Sequence, residues 1–148
     1  MSLKAQIQED MKAALRAGEK ERLGTIRMLI AAVKQREIDE RIELGDTDVL
    51  QIVDKLIKQR RESATQFAAA GRTDLEAREL AEARILAGYL PAQLSEAEIT
   101  ALIEDAVSAT AAAGIKDMSK VMAALRPKAQ GRADMGRISG LVKARLGG

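Results

Sequence analysis

The chain has 148 residues, of which 47% are hydrophobic, 31% charged and 1% aromatic, and it contains no cysteine, histidine or tryptophan. Disulfides, zinc–thiolate sites and serine–histidine or cysteine–histidine catalysis are therefore excluded. The aromatic side chains are Phe67 and Tyr89, which are too few to form a row of stacking platforms for single-stranded nucleic acid. The length suits one domain or two small ones with a real hydrophobic core.

The N-terminal sequence, Met-Ser-Leu-Lys-Ala-Gln, shows no apolar signal core and no cleavage pattern. The longest wholly apolar run, Met28 to Val33, is far too short to cross a bilayer about 30 Å thick. These features predict a soluble cytoplasmic protein with no membrane partner.

The formal net charge of +2 conceals an asymmetry along the chain. Residues 1–94 carry 16 basic and 16 acidic side chains, and residues 95–115 carry four acids and no base. Residues 116–148 carry eight bases against Asp117 and Asp134. This basic tail indicates an anionic partner, although Lys and Arg are also favoured near helix C-termini without any partner.

Apolar residues recur at helical spacing and no segment alternates with period two, which predicts an all-α fold. The predicted inward faces of the first, second and fourth helices include Leu15, Ile38 and Leu80, respectively. The N-terminal helices are predicted from Ser2 to Gly18, over about 19–41, over about 48–70, and from a capping box at Thr73 to Leu90.

Pro91 ends this four-helix unit because proline lacks a backbone N–H and restricts the residue before it. A second capping box, Ser95 to Glu98, restarts the helical pattern, and Gly131 separates the last two helices. We therefore predict an N-terminal helical bundle over 1–90 and a small three-helix domain over 91–148. The three C-terminal helices are predicted from Ser95 to near Gly114, over about 117–129 with Pro127 fraying or kinking its end, and over about 134–146 with Asp134 as cap.

Three patterns suggest chemistry but are better explained by structural roles. The stretch from Gly131 to Ile138 superficially resembles a phosphate-binding loop, but Arg137 follows the last glycine where Lys-Ser or Lys-Thr is needed, and no strand precedes it. The acids between Glu37 and Asp48 fit no calcium-loop spacing, so a solvated loop is expected rather than a metal site. Glu96 and Glu98 are explained by helix capping.

Six sequence blocks, in order, resemble the YqeY proteins of the GatB/YqeY group and together span nearly the whole chain. Ser119 stands where glycine is expected and Met135 where glycine is common, both at the starts of tail helices. The blocks are Arg27–Leu29, Gln59–Ser63, Gly71–Leu75, Tyr89–Ser95, Asp117–Met122 and Gly131–Asp134.

The resemblance implies that the C-terminal part is similar to the tail domain of the B subunit of the tRNA-dependent amidotransferase. In that enzyme the tail is a small helical module that contacts the body of the tRNA, remote from the chemistry. The family is often labelled with carbon–nitrogen ligase activity using glutamine as nitrogen donor. The kinase-like part of the B subunit and the serine–lysine amidase of the A subunit have no counterpart in this sequence, so neither a cofactor nor activity of the isolated chain is expected.

Three functional hypotheses follow. The first is a tRNA-binding accessory protein that contacts the phosphate backbone by shape and charge, which needs no aromatic stacking. The second is a subunit for glutamine-dependent amide transfer that needs a partner for the nucleophile and the ATP site. The third is a protein–protein adaptor that docks a synthetase or ribosomal partner. For the first hypothesis the expected nucleic-acid-binding residues are Lys120, Lys128, Arg132, Arg137 and Lys143.

Overall fold

The computed structural model describes residues 1–147 and confirms the all-α fold. In this part of the chain there are seven α-helices, one short 3-10 turn and no strand. Backbone contacts divide the chain into two compact units, Met1–Leu90 and Pro91–Gly148. The helices are α1 (Leu3–Ala17), α2 (Lys20–Glu40), α3 (Asp46–Ala69) and α4 (Thr73–Ala87) in unit 1, and α5 (Glu96–Ala109), α6 (Met118–Ala129) and α7 (Met135–Arg145) in unit 2, with the 3-10 turn at Ile115–Asp117.

Unit 1 is built from two helical hairpins. The Ser2 hydroxyl accepts a hydrogen bond from the Ala5 N–H at the start of α1, and Gly18 ends α1 in the left-handed conformation, with φ of 70°. Both caps confirm the sequence prediction. The link from α1 to α2 is so short that the helices pack side by side in opposite directions, and α3 packs along α4 in the second hairpin.

The Glu37 carboxylate links three segments at one end of unit 1. Glu37 Oε2, near the end of α2, accepts hydrogen bonds from Lys4 Nζ at 2.6 Å and from the Leu44 N–H at 2.8 Å. The bond from Lys4, followed in size by the bond from Leu44, lowers the pKa of the Glu37 carboxyl below its ordinary value. This arrangement ties α1 and the α2–α3 loop to α2, and it places the Leu44 side chain in the core.

Other polar contacts hold the second hairpin together and join it to the first. Arg60 Nε on α3 donates to Glu82 Oε2 on α4 at 3.0 Å, and the Arg60 guanidinium also contacts the Met28 sulfur on α2. The Tyr89 hydroxyl donates to Asp10 Oδ2 on α1 at 2.7 Å. Burial and then the Asp10 carboxylate raise the pKa of the Tyr89 phenol, so this group stays protonated throughout the physiological range.

Unit 2 has its own core, formed by the facing sides of its three helices. Ser95 and Glu98 form the predicted capping box, with each side chain bonded to the backbone N–H of the other at 3.1 Å. Asp134 caps α7 through the Gly136 N–H, as predicted. The α6 helix continues past Pro127 to Ala129, so the expected fraying does not occur. The buried core residues are Ile99, Ile103, Ala106, Val107, Val121, Met122, Leu125, Ala129, Ile138, Val142 and Leu146.

Several apolar residues expected to face the core are exposed. Leu15 is 57% exposed and the neighbouring Ala14 is buried instead. Each step of four residues advances a helix by about 400°, so the series beginning at Leu3 has rotated by roughly 120° when it reaches Leu15. Ile38 is 70% exposed because it lies about 140° around α2 from the buried Val33.

The predicted capping box at Thr73 is wrong. Thr73 is already the first residue of α4, and Arg72 occupies the N-cap position without a side-chain cap bond. The start of α3 also differs, because the helix begins at Asp46, two residues before the expected start. Asp46 Oδ1 accepts from the Leu3 N–H at 2.9 Å, so a contact with α1 accompanies the earlier start.

Leu86→Ala is expected to destabilise unit 1 by about 2–5 kcal/mol, because the Leu86 side chain is fully buried on α4 and truncation leaves a cavity. Leu80→Ala on the same helix is the matched control. Leu80 is 40% exposed, so its loss should cost less than about 1 kcal/mol. Urea unfolding followed by far-UV circular dichroism measures both, and equal costs would contradict the assigned core.

Brief digestion with subtilisin is expected to cut first between Gly88 and Ala92, where the chain leaves α4 and has no helical structure. The segment from Ala92 to Leu94 is held by side-chain and backbone hydrogen bonds to the 131–132 turn, so it should resist. The product containing 1–88 should remain helical by circular dichroism. An early cut inside α3 or α5 would show that the two units do not behave as separate folding units.

Candidate nucleic-acid interface

The turn between α6 and α7 is held by the segment that precedes α5. Arg132 Nε donates to the Ala92 carbonyl at 3.0 Å, and the Arg132 carbonyl accepts from the Leu94 N–H at 2.8 Å. Gln93 Nε2 donates to the Gly131 carbonyl at 3.0 Å. Gly131 itself has φ of 78°, a left-handed conformation that glycine adopts without strain. The guanidinium of Arg132 therefore has a structural partner within unit 2.

Two ion pairs join α5 to α7. Arg137 pairs with Glu96 near the beginning of each helix, and Arg145 Nε and Nη2 donate to the two oxygens of Glu104 at 2.5 and 3.1 Å near the ends. Both the acids and the arginines are eight residues apart, so α5 and α7 run side by side in the same direction. The hydrogen bonds from Arg145 lower the pKa of the Glu104 carboxyl, and those to the acids raise the pKa of both arginines.

The loop before α6 is organised by Asp117. Its Oδ2 accepts from the Ala113 N–H at 2.9 Å, and that bond is the main reason why the pKa of the Asp117 carboxyl lies below its ordinary value. Lys120 Nζ lies 3.9 Å from Asp117 Oδ1, one turn further along the chain. The carboxylate therefore shapes the loop and partly compensates the charge of Lys120.

The five residues expected to bind nucleic acid differ in whether their side chains already have partners within the protein. Lys120 and Lys128 are eight residues apart on α6, so they lie about 12 Å apart along its axis and about 80° apart around it. Lys143 is exposed on the flank of α7 turned away from the one that carries Arg137. Within the described residues Lys128 and Lys143 have neither a hydrogen bond nor an ion pair. Arg132 and Arg137 hold the internal partners described above.

Sequence reasoning missed the second role of the α5 acids. Glu98 does cap α5, and its bonds to Ser95 lower the pKa of its carboxyl, but Glu96 pairs with Arg137 instead. Arg126 also belongs with the available cations, since it is exposed and has no polar partner in the described chain. The equal spacing of the acids and the arginines was visible in the sequence, but it has meaning only once α5 and α7 are known to be neighbours.

In the described residues no group of three or more acidic side chains is arranged to hold a metal ion. Across the same 147 residues, no helix combines the length and the apolar character that a bilayer crossing requires.

The two helical units and the exposed cations define a small all-α protein with a charged C-terminal module. The family model described as Yqey-like protein matches residues 4–146, which is nearly the whole chain. The chain belongs to the YqeY-like family, as the six sequence blocks indicated.

Curated relatives are fungal proteins with the name altered inheritance of mitochondria protein 41, mitochondrial. The protein of Eremothecium gossypii is 38% identical over 89 residues, covering 60% of this chain and 49% of its own length. That of Lachancea thermotolerans is 37% identical over 105 residues, covering 68% of this chain and 56% of its own length. The chain thus spans about half the length of these relatives. An uncharacterized protein of Schizosaccharomyces pombe is 26% identical over 94 residues, covering 64% of this chain and 76% of its own.

The predicted cytoplasmic location is contradicted by these relatives, whose names describe mitochondrial proteins. The prediction depended on the absence of a secretory signal core and of an apolar span. Those criteria test for secretion and membrane insertion, whereas import into mitochondria depends on amphipathic, arginine-rich targeting segments that neither criterion detects.

Asp117→Ala is expected to lower the melting temperature of unit 2 at pH 7, because the carboxylate holds the Ala113 N–H and the loop before α6. Since the pKa of Asp117 is lowered in the folded state, its stabilisation is fully present above the unfolded-state pKa. It is lost as the pH falls through the folded-state pKa.

The difference in the stability of unit 2 between parent and variant should therefore be constant from pH 7 to about pH 5 and should shrink below about pH 4. Amide hydrogen exchange of α6 and its preceding loop measures it. Ser119→Ala, which changes an exposed residue beside the same loop, is the control and should show no such pH dependence.

Proposed function

We propose that this protein is a tRNA-binding accessory protein and that unit 2 makes the contact through the phosphate backbone. The observation that carries the proposal is the set of cations left over after internal pairing. Arg126, Lys128 and Lys143 are exposed on α6 and α7 without a polar partner in residues 1–147, and Lys120 is exposed on α6 with its Nζ 3.9 Å from Asp117 Oδ1. Similarity to the tail domain of the amidotransferase B subunit supports tRNA as the anionic partner.

The arrangement suits recognition by shape rather than by base sequence. Phosphate contacts position a protein on a folded RNA and need only cations on a rigid surface. The bonds at the 131–132 turn and the two α5–α7 ion pairs provide that rigidity, since they fix the directions of α6 and α7. Arg137 is half exposed and its pair is on the surface, so a phosphate has to compete with Glu96 for it.

We propose that the chain catalyses no reaction by itself. Glutamine hydrolysis requires an activated nucleophile, and neither cysteine nor histidine is present to provide one. The ligase label of the family is thus assigned to the larger enzyme, in which other subunits and domains carry the reaction.

The double variant Lys128→Glu with Lys143→Glu is expected to weaken binding to tRNA at least tenfold, because two phosphate contacts become repulsive. Fluorescence anisotropy with labelled tRNA at two salt concentrations measures it. With three to four contacts in the parent, the logarithm of the affinity should fall by about two to three units for each tenfold rise in salt.

Lys55→Glu with Arg84→Glu is the matched control, since it makes the same change in net charge at exposed positions of unit 1. The control should bind tRNA within about twofold of the parent if unit 2 makes the contact. Equal weakening by both double variants would mean that net charge alone drives association, and unchanged binding by the first would refute the proposed surface.

A further inference from the structure

A second charged surface lies on α2, in unit 1, and is independent of the proposed tRNA contact. Basic residues occur there at every seventh position: Lys20, Arg27 and Lys34 within the helix and Arg41 at its C-cap. Seven residues advance a helix by about 10.5 Å and return it to the same side within about 20°. The three helical cations therefore lie in one straight row.

Small or apolar residues fill the gaps in this row. Gly24, Ala31 and Ile38 each lie four residues after a cation, so they share its side of α2. All three are exposed, Ile38 by 70%, and a Cβ placed at Gly24 would meet open space. We call this surface the α2 stripe; its members are Lys20, Gly24, Arg27, Ala31, Lys34, Ile38 and Arg41.

Within residues 1–147 the cations of the α2 stripe are not paired with acids, although the charge of Lys34 acts on the neighbouring Glu37 carboxylate and contributes to its lowered pKa. In the described part of the chain none of their side chains forms a hydrogen bond or salt bridge. Nearby acids on α2 are occupied elsewhere: Glu37 holds Lys4 and the Leu44 N–H, Asp39 accepts from Gln35 at 2.9 Å, and Glu40 pairs with Arg36 at 2.6 Å. Glu19 and Glu21 lie beside Lys20 at the start of the helix, with Glu19 3.9 Å from Arg22, so the stripe is most positive from Arg27 to Arg41.

We infer that the α2 stripe docks an acidic helix of a partner protein. Charges at every seventh residue are the pattern by which helices recognise each other, because residues on adjacent helices meet once per heptad. Gly24 and Ala31 let a second helix approach closely between the cations, and Ile38 offers it an apolar contact. The expected partner helix carries Glu or Asp at seven-residue intervals with apolar residues between them.

A protein helix fits this surface better than a nucleic acid does. Phosphates recur every 3.4 Å or so along each strand of a duplex, so they do not select for cations about 10.5 Å apart. An exposed isoleucine in the row also has no counterpart on a phosphate backbone. The regular interval and the apolar residue together favour the helix.

The test uses the full chain and a labelled synthetic helical peptide of about 28 residues with Glu at every seventh position and Leu four residues after each Glu. A second peptide of identical composition has its Glu residues distributed over all sides of the helix. Anisotropy should show at least tenfold tighter binding of the first peptide. Equal affinities would overturn the inference, because binding would then reflect charge alone.

Three variants localise the contact. Arg27→Glu with Lys34→Glu should abolish the preference between the peptides, and Ala31→Gln, which keeps every charge but fills the gap in the row, should weaken the first peptide severalfold. Lys55→Glu with Arg84→Glu should leave the preference intact. All of these positions are exposed, so unchanged far-UV dichroism is expected.

Titration of the Arg27→Glu and Lys34→Glu variant with tRNA separates this surface from the one on unit 2. Unchanged tRNA affinity together with loss of the peptide preference supports the inference. If tRNA affinity falls and the peptide preference is retained, the α2 stripe is a nucleic-acid surface and the inference is wrong. Failure of the unit 2 variants to affect tRNA would instead refute the proposed function alone.

Discussion

The pairing of α5 carboxylates with α7 arginines determines what the C-terminal unit can offer a partner. Glu96 and Glu104 hold Arg137 and Arg145, so two of the eight basic residues of the tail are engaged by the acidic segment that precedes it. The same pairs show that α7 runs in the same direction as α5. Part of the charge asymmetry seen in the sequence is therefore satisfied internally, and the remaining cations on α6 and α7 are available for contacts with other molecules.

The fold was largely predictable because its signals are local. Ser2, Gly18, Ser95 and Asp134 act on backbone groups within a few residues, and each does so in the structure as the sequence indicated. The errors concern where a helix starts and at which angle an apolar residue lies around it. Thr73 has the local pattern of a cap, yet α4 starts one residue earlier than that pattern requires. Leu15 and Ile38 have the right residue type for a core and the wrong angle around the helix.

The candidate surfaces were only partly predictable, since a cation's availability depends on neighbours distant in sequence. Arg137 and its partner Glu96 are 41 residues apart, and Arg132 meets a backbone carbonyl 40 residues away. The seven-residue interval of Lys20, Arg27 and Lys34 is present in the sequence, but the burial of the opposite side of α2 is needed to show that it lies on a surface. In both units, pairing with acids therefore determines which cations remain available for contacts with other molecules.

The position of Tyr89 makes the two units spectroscopically distinguishable. Phe67 and Tyr89 are the aromatic residues of the sequence and both belong to unit 1, so Pro91–Gly148 contains no near-ultraviolet chromophore. The Tyr89 hydroxyl is bonded to Asp10 at 2.7 Å, which makes the absorbance and fluorescence of this ring a native reporter on the docking of α1. Tyrosine signals therefore follow unit 1 alone, whereas far-ultraviolet dichroism follows the helices of both units. A difference between the two melting curves gives the stability of the C-terminal unit without any label.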